Sequence, residues 1–474
     1  PLEVSIFTKI KYNFIFSLIL LLFPLAILIP LLPTIIVLNE ENHSIAGRDF
    51  SYLMITPLLA LLYVIIFLVQ TIFFSRLLQY NINPGVYKVY SFLYVRKWLS
   101  DKFMELALAV LHPIYATVYV SAMFRAFGAK IGKKTEISTA SGITHPLLEI
   151  GDGGFIADAA TIGESDVRGL RFTLKKTVIK NMSFIGNGAV VPQGYELESN
   201  MLIGVLSTPP TENQLNESNA KNWFGSPAIP LPRRQETQIF PDSLTLNPSW
   251  KRIMARGVVE FIRVIIPTTM ITLFSILFIS FGHDLIIGKS LLEIILLFPF
   301  YYLAIIGIPC FIFTVILKWV FVGRYKTQQI PMWTWKVWKS EAITTTYESL
   351  AVPFLLDFLT GTGWLPMAMR LLGVKIGKRV CMNTTDITEY DVVSIGDDSI
   401  LNEDSGPQTH LFEDRIMKIG NVSIGKRCTI GTRTIILYDS KIEDDANILP
   451  LSLVMKGETI SGQKNWVGSP VRLK

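Results

Sequence analysis

The chain has 474 residues, of which 50% are hydrophobic and only 17% are charged, whereas soluble globular proteins usually carry about 25% charged residues. This composition excludes a disordered chain and argues against a uniformly hydrophilic enzyme. Three cysteines in so long a chain exclude a disulfide scaffold. The net charge of +6 does not by itself indicate nucleic acid, because Lys and Arg also collect at membrane edges. Since the chain begins at Pro1 rather than at a methionine, we expect a piece of a longer polypeptide.

Four long apolar runs predict two membrane-spanning helical hairpins. The runs cover residues 12–38, 51–74, 258–281 and 291–322, and about 20 apolar residues suffice to span a bilayer. A buried core helix would explain one such run, but not four that arrive as two close pairs. Three prolines predict a kinked first span; these are Pro24, Pro30 and Pro33.

Positive charges flank the outer ends of both hairpins. Lys9 precedes the first span and Arg76 follows the second, while Lys251 precedes the third and Arg324 follows the fourth. Positive flanks stay cytoplasmic. The pattern therefore predicts a multi-pass membrane protein whose soluble domains face the cytoplasm.

The sequence also contains an internal duplication. The stretch Arg125-Ala-Phe-Gly-Ala-Lys-Ile-Gly-Lys133 reappears further along the chain as Arg370-Leu-Leu-Gly-Val-Lys-Ile-Gly-Lys378, at an offset of 245. Asn222-Trp-Phe-Gly-Ser-Pro227 reappears as Asn465-Trp-Val-Gly-Ser-Pro470, at an offset of 243. We therefore expect one unit, made of a hairpin, a connector and a soluble domain, to occur twice.

Each soluble domain has a strict period of six residues. Aliphatic residues recur every six positions from Ile424 to Ile460, and from Ile179 to Ile203 in the first unit. Three short strands per turn give this period, which predicts a left-handed parallel β-helix, the hexapeptide-repeat fold. Small or polar residues are expected at the corners, where left-handed backbone angles cost Gly and Asn little; examples are Gly186, Gly425, Gly431 and Asn447.

The predicted fold class is thus membrane α-helical hairpins plus all-β left-handed parallel β-helix domains, in a duplicated unit. Two aromatic and basic connectors are expected at the membrane interface, with packing between helices and β-helix as the alternative. The predicted segments are a first hairpin at 1–74, a connector at 75–123, a β-helix at 124–228, a linker at 229–252, a second hairpin at 253–322, a connector at 323–365 and a β-helix at 366–474.

Longer strings go beyond the six-residue period. In the second unit they include Thr385-Asp-Ile-Thr-Glu389, Gly406-Pro-Gln-Thr-His-Leu-Phe-Glu-Asp414 and Leu453-Val-Met-Lys-Gly-Glu458; the first unit has Phe184-Ile-Gly-Asn-Gly-Ala-Val-Val-Pro192 and Gly204-Val-Leu-Ser-Thr-Pro-Pro210. On these strings, nearly the whole chain resembles the carboxy-terminal membrane region of poly-lysine-synthetase-type (Pls/PosA) non-ribosomal peptide synthetases.

The resemblance implies a condensation module bound to the bacterial inner membrane. Family members carry adenylation and carrier domains upstream, and the carrier's phosphopantetheine arm presents an aminoacyl thioester. The membrane region is thought to join amino acids through amide bonds, so the partners would be these domains, an amine or growing peptide, and membrane lipid. This chain has neither an adenylation signature nor a carrier-type serine motif, and no metal, dinucleotide or nucleic-acid motif. We expect it to bind no cofactor itself.

Amide formation from a thioester needs a base for the attacking amine, and His410 is the first candidate. It lies in a break of the six-residue period, between Leu401 and Ile424, and interrupting loops can project binding groups from a rigid scaffold. Glu413 and Asp414 are near enough in sequence to orient its ring. His145 is a secondary candidate. The alternative is that His410 only shapes its loop.

The acidic residues predict how an amine is recognised. No Lys or Arg occurs between Val380 and Asp414, and the stretch carries nine acids. Such a local field attracts cations, which suits the diamino substrate that the resemblance implies, although solvated corners explain some of the charge. The predicted substrate-binding residues are Asp386, Glu389, Glu403 and Asp404.

Two other functions stay open on the sequence. A generic hexapeptide transferase would acylate a lipid or a polysaccharide, and a non-catalytic part would anchor the synthetase or export its product. Prism transferases usually act as trimers with sites between prisms, so we also consider a dimer or a pseudo-trimeric assembly of tandem prisms.

Overall fold

The computed structural model describes residues 4–40, 51–218, 220–231 and 238–474. The chain divides into two compact units, Pro1–Glu236 and Thr237–Lys474, and each is described by itself. The loop within the first predicted hairpin and the middle of the predicted linker lie outside the described residues.

Four of the described helical segments are long and apolar enough to cross a membrane: Ile6–Val37, Leu53–Leu78, Trp250–Gly282 and Leu291–Val322. The first segment is broken at Pro24, one of the three prolines expected to kink it, into helices Ile6–Leu22 and Leu25–Glu40. The second is the helix Thr56–Leu78. The third helix, Trp250–Ile286, begins inside the predicted linker. Membrane association is thus supported by length and composition.

The fourth span alternates α-helix with wider turns. Its α-helical parts are Leu291–Tyr302 and Ile308–Leu317, and its π-helical turns are Leu303–Gly307 and Lys318–Val322. Further helical segments of the chain are Ser51–Ile55, His112–Ile114, Val120–Phe127, His145–Leu147, Glu212–Glu217, Asp242–Leu244, Tyr347–Ala351, Val352–Phe354, Leu356–Leu359, Trp364–Leu372 and Tyr390–Val392.

One helix in each unit, here called the connector helix, joins the spans to the soluble domain: Phe92–Val110 in unit 1 and Trp335–Thr346 in unit 2. In unit 1, Phe103 stacks on Phe74 of the second span with ring centroids 4.6 Å apart, while Tyr94 contacts Phe172 of the soluble domain at 5.2 Å. The predicted connectors therefore contain a helix that packs between the membrane helices and the β-domain.

The soluble domain of unit 1 is a stack of short strands in three sheets. Where the coil is uninterrupted, parallel partners lie three steps of the six-residue period apart, as Ile185 pairs with Ile203. The three sheets consist of Lys130–Ile131, Leu148–Ile150, Thr177–Ile179 and Glu196–Leu197; of Glu136–Ile137, Phe155–Ile156, Phe184–Ile185, Leu202–Ile203, Asn222–Phe224 and Ile229–Pro230; and of Ala140–Ser141, Ala160–Ile162 and Val190–Val191.

Unit 2 repeats the arrangement in three sheets, although its strand Thr459–Ile460 lies where unit 1 has the helix Glu212–Glu217. Ile424 pairs with Ile442 and Ile430 with Ile448, again three steps of the period apart. Its sheets consist of Lys375–Ile376, Val393–Ile395, Val422–Ile424, Ser440–Ile442 and Thr459–Ile460; of Cys381–Met382, Ile400–Leu401, Thr429–Ile430, Asn447–Ile448, Asn465–Val467 and Arg472–Leu473; and of Gly406–Gln408, Ile435–Leu437 and Leu453–Val454.

The aliphatic residues of the six-residue period form the core of both stacks, as predicted. From Ile424 to Ile460 every member of the series is at most 2% exposed, and from Ile179 to Ile203 every member is fully buried. Because burial of such a side chain contributes about 1.5–3 kcal/mol, these columns are a major part of what holds each stack together.

The predicted reason for the corner glycines is wrong. Gly425 and Gly431 do not have positive φ angles; the left-handed positions are Arg427 and Arg433 beside them. A Cβ at Gly431 would lie 2.4 Å from the backbone nitrogen of Pro450 on the next coil. A Cβ at Gly186 would lie 2.6 Å from the backbone carbonyl carbon of Gly204. Asn447 lies in a strand, where its amide donates to Asn465. Close approach of successive coils therefore requires these glycines.

An antiparallel hairpin interrupts the coil of each unit. In unit 2 the strands His410–Glu413 and Ile416–Ile419 form it, and Gln328–Pro331 adds a third strand. In unit 1 the corresponding strands are Asp166–Arg168, Arg171–Leu174 and Gly85–Lys88. The break of the six-residue period, expected to be a loop, is thus a β-hairpin pinned by a strand that precedes the connector helix.

Candidate active site

His410 stands at the first position of the inserted hairpin and is paired with a buried carboxylate. Its Nδ1 lies 2.7 Å from Oε2 of Glu389. The side chain of Glu389 is fully buried, and that of His410 is 11% exposed. The pair, here called the dyad, joins a nearly inaccessible acid to a base that keeps a small opening.

The backbone brings these two residues together across successive coils. Gly406 permits the approach, because a Cβ there would lie 2.5 Å from the carbonyl oxygen of Asp386. Asp391, two residues after Glu389, accepts hydrogen bonds from Nζ of Lys318 and from the backbone nitrogen of Tyr325. The segment that carries Glu389 is therefore fixed from both sides.

Glu389 is held in its ionised form. Burial alone would raise the pKa of this carboxyl, but the charge on His410 and hydrogen bonds from His410, Thr409 and Thr388 lower it below its ordinary value. The two threonine hydroxyls donate to Oε2 at 2.6 and 2.9 Å. An ionised Glu389 accepts a hydrogen bond from Nδ1–H, so it fixes the tautomer of His410 that carries its proton on Nδ1.

Glu413 pairs with two lysines rather than with the ring of His410, contrary to the prediction. Glu413 accepts hydrogen bonds from Lys418 at 2.7 Å and from Lys456, and Lys418 is 2% exposed. Burial would raise the pKa of Glu413, but the two lysines lower it below its ordinary value. Asp414 occupies the hairpin turn with φ of 49°. Alternation along the strand turns Glu413 away from the ring.

Three of the four predicted substrate-binding acids line one cavity, here called the acidic cavity. Asp386, Glu403 and Asp404 meet Asp357 around about 500 Å³. The fourth acid, Glu389, belongs to the dyad instead. The remaining lining residues are Thr360, Asn383, Thr384 and Thr385.

Part of the acidic field seen in the sequence is neutralised by neighbouring coils. Arg379 forms a bidentate pair with Asp398, and Nζ of Lys426 lies 3.7 Å from Asp397. Arg433 reaches Asp404 at 3.4 Å, with side chains that are 69% and 64% exposed. Negative charge therefore concentrates at the acidic cavity rather than along the whole stretch.

The structure gives His145 a different environment from His410. It is 3% exposed and lies against the rings of Phe124 and Phe127, with centroids 5.3 and 5.0 Å away. Within the described residues no hydrogen-bond partner reaches its Nδ1. Burial and the nearby Lys97 charge lower the pKa of His145 to about 3, which makes it a weak base at neutral pH.

From the sequence, Glu389 is expected to bind substrate, and Ser340 has no expected role. The structure sets Oγ of Ser340 3.4 Å from Oε1 of Glu389. The length of one coil is the sequence signal that points to Glu389 as the partner of His410. Residues about one coil apart meet on adjacent coils, as Thr388 and Thr409 do at 3.2 Å. Among the described residues no group of three or more His, Cys, Asp or Glu could hold a metal ion.

Solved structures offer only distant similarity. A hexapeptide-repeat acetyltransferase from Vibrio cholerae aligns with 25% of this chain and 85% of its own length, at 14% identity and a TM-score of 0.21. An N-acyltransferase from Bacillus cereus aligns with 21% of this chain and 57% of its own, at 16% identity and a TM-score of 0.17. Scores this low establish no shared site. No family model matches the chain.

A curated relative is much more similar. The Delta-poly-L-ornithine synthetase of Acinetobacter baumannii (strain AB307-0294) is 44% identical over 394 residues, which cover 82% of this chain and 29% of that synthetase. This chain therefore corresponds to less than a third of the relative's length. The resemblance seen in the sequence is confirmed: most of the chain is homologous to a segment of a poly-amino-acid synthetase.

Proposed function

We propose that this chain is a membrane-bound amide-forming module of a poly-amino-acid synthetase. It would transfer an aminoacyl group from the phosphopantetheine thioester of a carrier domain to an amine, with unit 2 as the catalytic unit. The observation that carries the proposal is the buried dyad, in which Glu389 holds Nδ1 of His410 at 2.7 Å. The homology to a synthetase segment supports the same class of reaction.

The dyad suits general base catalysis. With Nδ1 engaged by Glu389, His410 would exchange protons with the substrate through Nε2. The amine nitrogen attacks the thioester carbonyl carbon and passes a proton to Nε2. As the tetrahedral intermediate collapses, the carbon–sulfur bond breaks and the proton goes to the leaving thiolate. The products are an amide and the free thiol of the carrier, so atoms and charge balance.

The acidic cavity suits a cationic acceptor. Asp386 of the cavity and Glu389 of the dyad are three residues apart on one segment, so their Cα atoms are at most about 11 Å apart. A diamino acid could place its distal ammonium among Asp386, Glu403 and Asp404 while its reacting amine faces His410. The cavity has four carboxylates, of which Asp404 is paired with an arginine that is largely exposed; the net negative charge raises the local concentration of such a cation.

The architecture is proposed in the same terms. The strict six-residue period favours the left-handed form of the β-helix, and the equivalent hairpin sheets of the two units favour a duplication. The charged flanks of the spans favour an inner-membrane protein with both β-domains in the cytoplasm. A carrier domain encoded elsewhere in the synthetase would then reach the dyad from that side.

The experiment is amide formation by the membrane-embedded chain from an aminoacyl carrier loaded beforehand. His410→Ala should lower the rate by about 10²–10⁴-fold, the usual contribution of a positioned acid–base group. Asp398→Asn is the control, since Asp398 pairs with Arg379 rather than with the dyad, and its rate should change less than twofold.

Two outcomes would overturn the proposal. A fully active His410→Ala chain would remove this residue as the base. Acyl transfer to a lipid or a polysaccharide, with none to a free amine, would favour the generic transferase instead. Both measurements use a loaded carrier, so the activation step does not enter the result.

A further inference from the structure

Unit 1 contains a cavity at the place where unit 2 has its dyad. The unit 1 cavity encloses about 280 Å³. Its lining includes Lys97, Asp101, His145, Glu164 and Ser165. Ser165 is the counterpart of His410 at the offset of 245, and Thr144, the counterpart of Glu389, precedes the lining residue His145.

The strands before the connector helices show that this correspondence is structural. Gly85–Lys88 and Gln328–Pro331 hold the same place in the two hairpin sheets. Alignment of these two strands sets Lys97 at the position of Ser340, and both residues are 3% exposed. In unit 2, Ser340 lies beside the dyad. In unit 1, the ammonium of Lys97 takes the place of Ser340.

The charges around the unit 1 cavity are predominantly negative. Lys97 is paired with Asp101, and Glu105 binds Lys102 at the surface, 2.6 Å away. Glu164 adds a third carboxylate. Burial raises the pKa of Asp101, Lys97 opposes this, and the charges of Glu105 and Glu164 raise it further. The carboxylates thus repel one another, which a bound cation would relieve.

The rest of the lining is apolar or holds an unsatisfied polar group. Met104, Leu108 and Phe124 supply hydrocarbon surface. His145 is only 3% exposed, and no described residue provides a hydrogen-bond partner for its Nδ1. A neutral imidazole beside apolar walls and carboxylates complements a short aliphatic chain that ends in an ammonium group.

We propose that the unit 1 cavity is a non-catalytic binding site for a primary ammonium group on a short aliphatic chain. It cannot repeat the chemistry of unit 2, because Ser165 and Thr144 replace His410 and Glu389. On the proposed function, the site would hold an aminoalkyl side chain of the product while unit 2 extends it. That role rests on the proposed function, whereas the binding of an alkylammonium does not.

The test measures binding of 1-butylamine to the full chain in detergent micelles, with 1-butanol as the uncharged comparison. Histidine labelled with ¹³C at Cε1 reports on the cavity, and His145→Phe identifies the signal of His145. Butylamine should shift that signal saturably, and butanol should shift it at least tenfold more weakly. An equal response to both ligands would overturn the proposal.

Variants at an exposed carboxylate separate a built site from general attraction. Glu164→Gln should weaken butylamine binding about threefold to fivefold, the effect of removing one partly screened ion pair, and Glu164→Lys should weaken it more than tenfold. Glu196→Lys, at an exposed acid of the same unit that the cavity does not include, is the matched control and should change nothing. Unchanged binding in Glu164→Lys would overturn the proposal.

A second background keeps the two proposals apart. In His410→Ala, butylamine should bind the unit 1 cavity as in the parent chain, because His410 belongs to unit 2. If His410→Ala stays active in amide formation but binding is unchanged, the proposed function fails and the cavity stands. If His410→Ala is inactive but the His145 signal never responds, the cavity fails and the proposed function stands.

Discussion

The two units share one scaffold but differ in the groups placed at its interrupted coil. In unit 2 the equivalent positions carry Ser340, Glu389 and His410; in unit 1 they carry Lys97, Thr144 and Ser165. The equivalence extends to unusual backbone angles, since Asp404 and its counterpart Ala159 both have positive φ, 52° and 56°. Buried aliphatic columns are therefore common to both units, whereas the polar residues at the interrupted coil differ.

Each unit has a buried charge at this position that is neutralised in a different way. Unit 2 buries the carboxylate of Glu389 and pairs it with His410. Unit 1 buries the ammonium of Lys97, 4% exposed, and pairs it with Asp101 on the same helix. A buried charge without a partner costs several kcal/mol, so neither unit can adopt the partner set of the other by a single substitution. This explains how two similar folds can hold different chemistry.

The largest effect should follow from breaking the shared frame. Ile442→Asp places an unpaired charge in a side chain that is 1% exposed and should unfold the β-domain of unit 2. Lys441→Asp, one residue earlier on the same strand with an exposed side chain, should be nearly silent. Hydrogen exchange at the backbone amides of the two stacks measures both. Equal tolerance of the two changes would show that the register of this strand is wrong.

The second prediction concerns the carboxylate that distinguishes unit 2. Glu389→Gln keeps the shape of the side chain but removes the charge that fixes His410. It should lower amide formation about 10- to 100-fold, since a hydrogen bond to a charged group contributes about 1.5–3 kcal/mol. The pH at which activity falls on the acid side should move downward, because protonated His410 loses its anionic partner.

Glu413→Gln is the control for this change. Glu413 contacts Lys418 and Lys456 rather than the ring, so its loss should affect stability and leave the pH profile of activity unmoved. If the pH profile of activity shifts in Glu413→Gln but not in Glu389→Gln, then Glu413 orients His410, as the sequence suggested.

The frame could be predicted from the sequence because its signals are local. A period of six fixes which side chains enter the core, and the series from Ile424 to Ile460 is buried without exception. Apolar runs indicate the spans in the same way, and Pro24 marks the break between the first two helices. The positions of the glycines are evident from the sequence, but the reason for them is not, because the close approach of Gly431 to Pro450 is a contact between coils.

The site could be predicted only in part because it depends on contacts between distant segments. The break in the six-residue period points to His410, but proximity along the chain points to Glu413 and Asp414 as its partners. The hairpin turns Glu413 toward Lys418 and Lys456, and the third strand, Gln328–Pro331, comes from far upstream in the chain. Glu389 becomes the partner through the stacking of coils, which sequence proximity does not reveal.

The third prediction uses the titration of His145, which unit 2 replaces with Tyr390. The pKa of His145 falls from an ordinary 6.5 to about 3 in the folded chain, so between these values the unfolded chain binds a proton that the folded chain does not. Stability is therefore present above pH 6.5 and is lost as the pH falls. At about 1.4 kcal/mol per pH unit, unit 1 should lose about 2 kcal/mol between pH 6.5 and pH 5.

Hydrogen exchange within each stack measures this loss separately for the two units. Burial raises the pKa of Tyr390 well above its ordinary value, so this residue stays neutral throughout the same range. His145→Phe should flatten the acid dependence of unit 1, because a ring of similar size replaces the titrating one between Phe124 and Phe127. The same acid slope in His145→Phe as in the parent chain would assign the loss to another group.

The smallest effect is expected at the acidic cavity, where unit 1 has Ser141 and Ala159 in place of Asp386 and Asp404. Glu403→Gln and Asp404→Asn should each raise the KM for a cationic acceptor about threefold to tenfold and leave kcat nearly unchanged, because a partly solvent-screened carboxylate contributes about 1 kcal/mol to binding a cation. A neutral amine should be used equally well by both variants and the parent chain.

Asp398→Asn is the matched control, since Asp398 is paired with Arg379 and is not among the residues lining the cavity. Equal losses with cationic and neutral acceptors would remove the cavity as the recognition surface. The carboxylates of Asp386, Glu403 and Asp404 would then be solvated corners of the coil, and the difference between the units would reduce to the dyad.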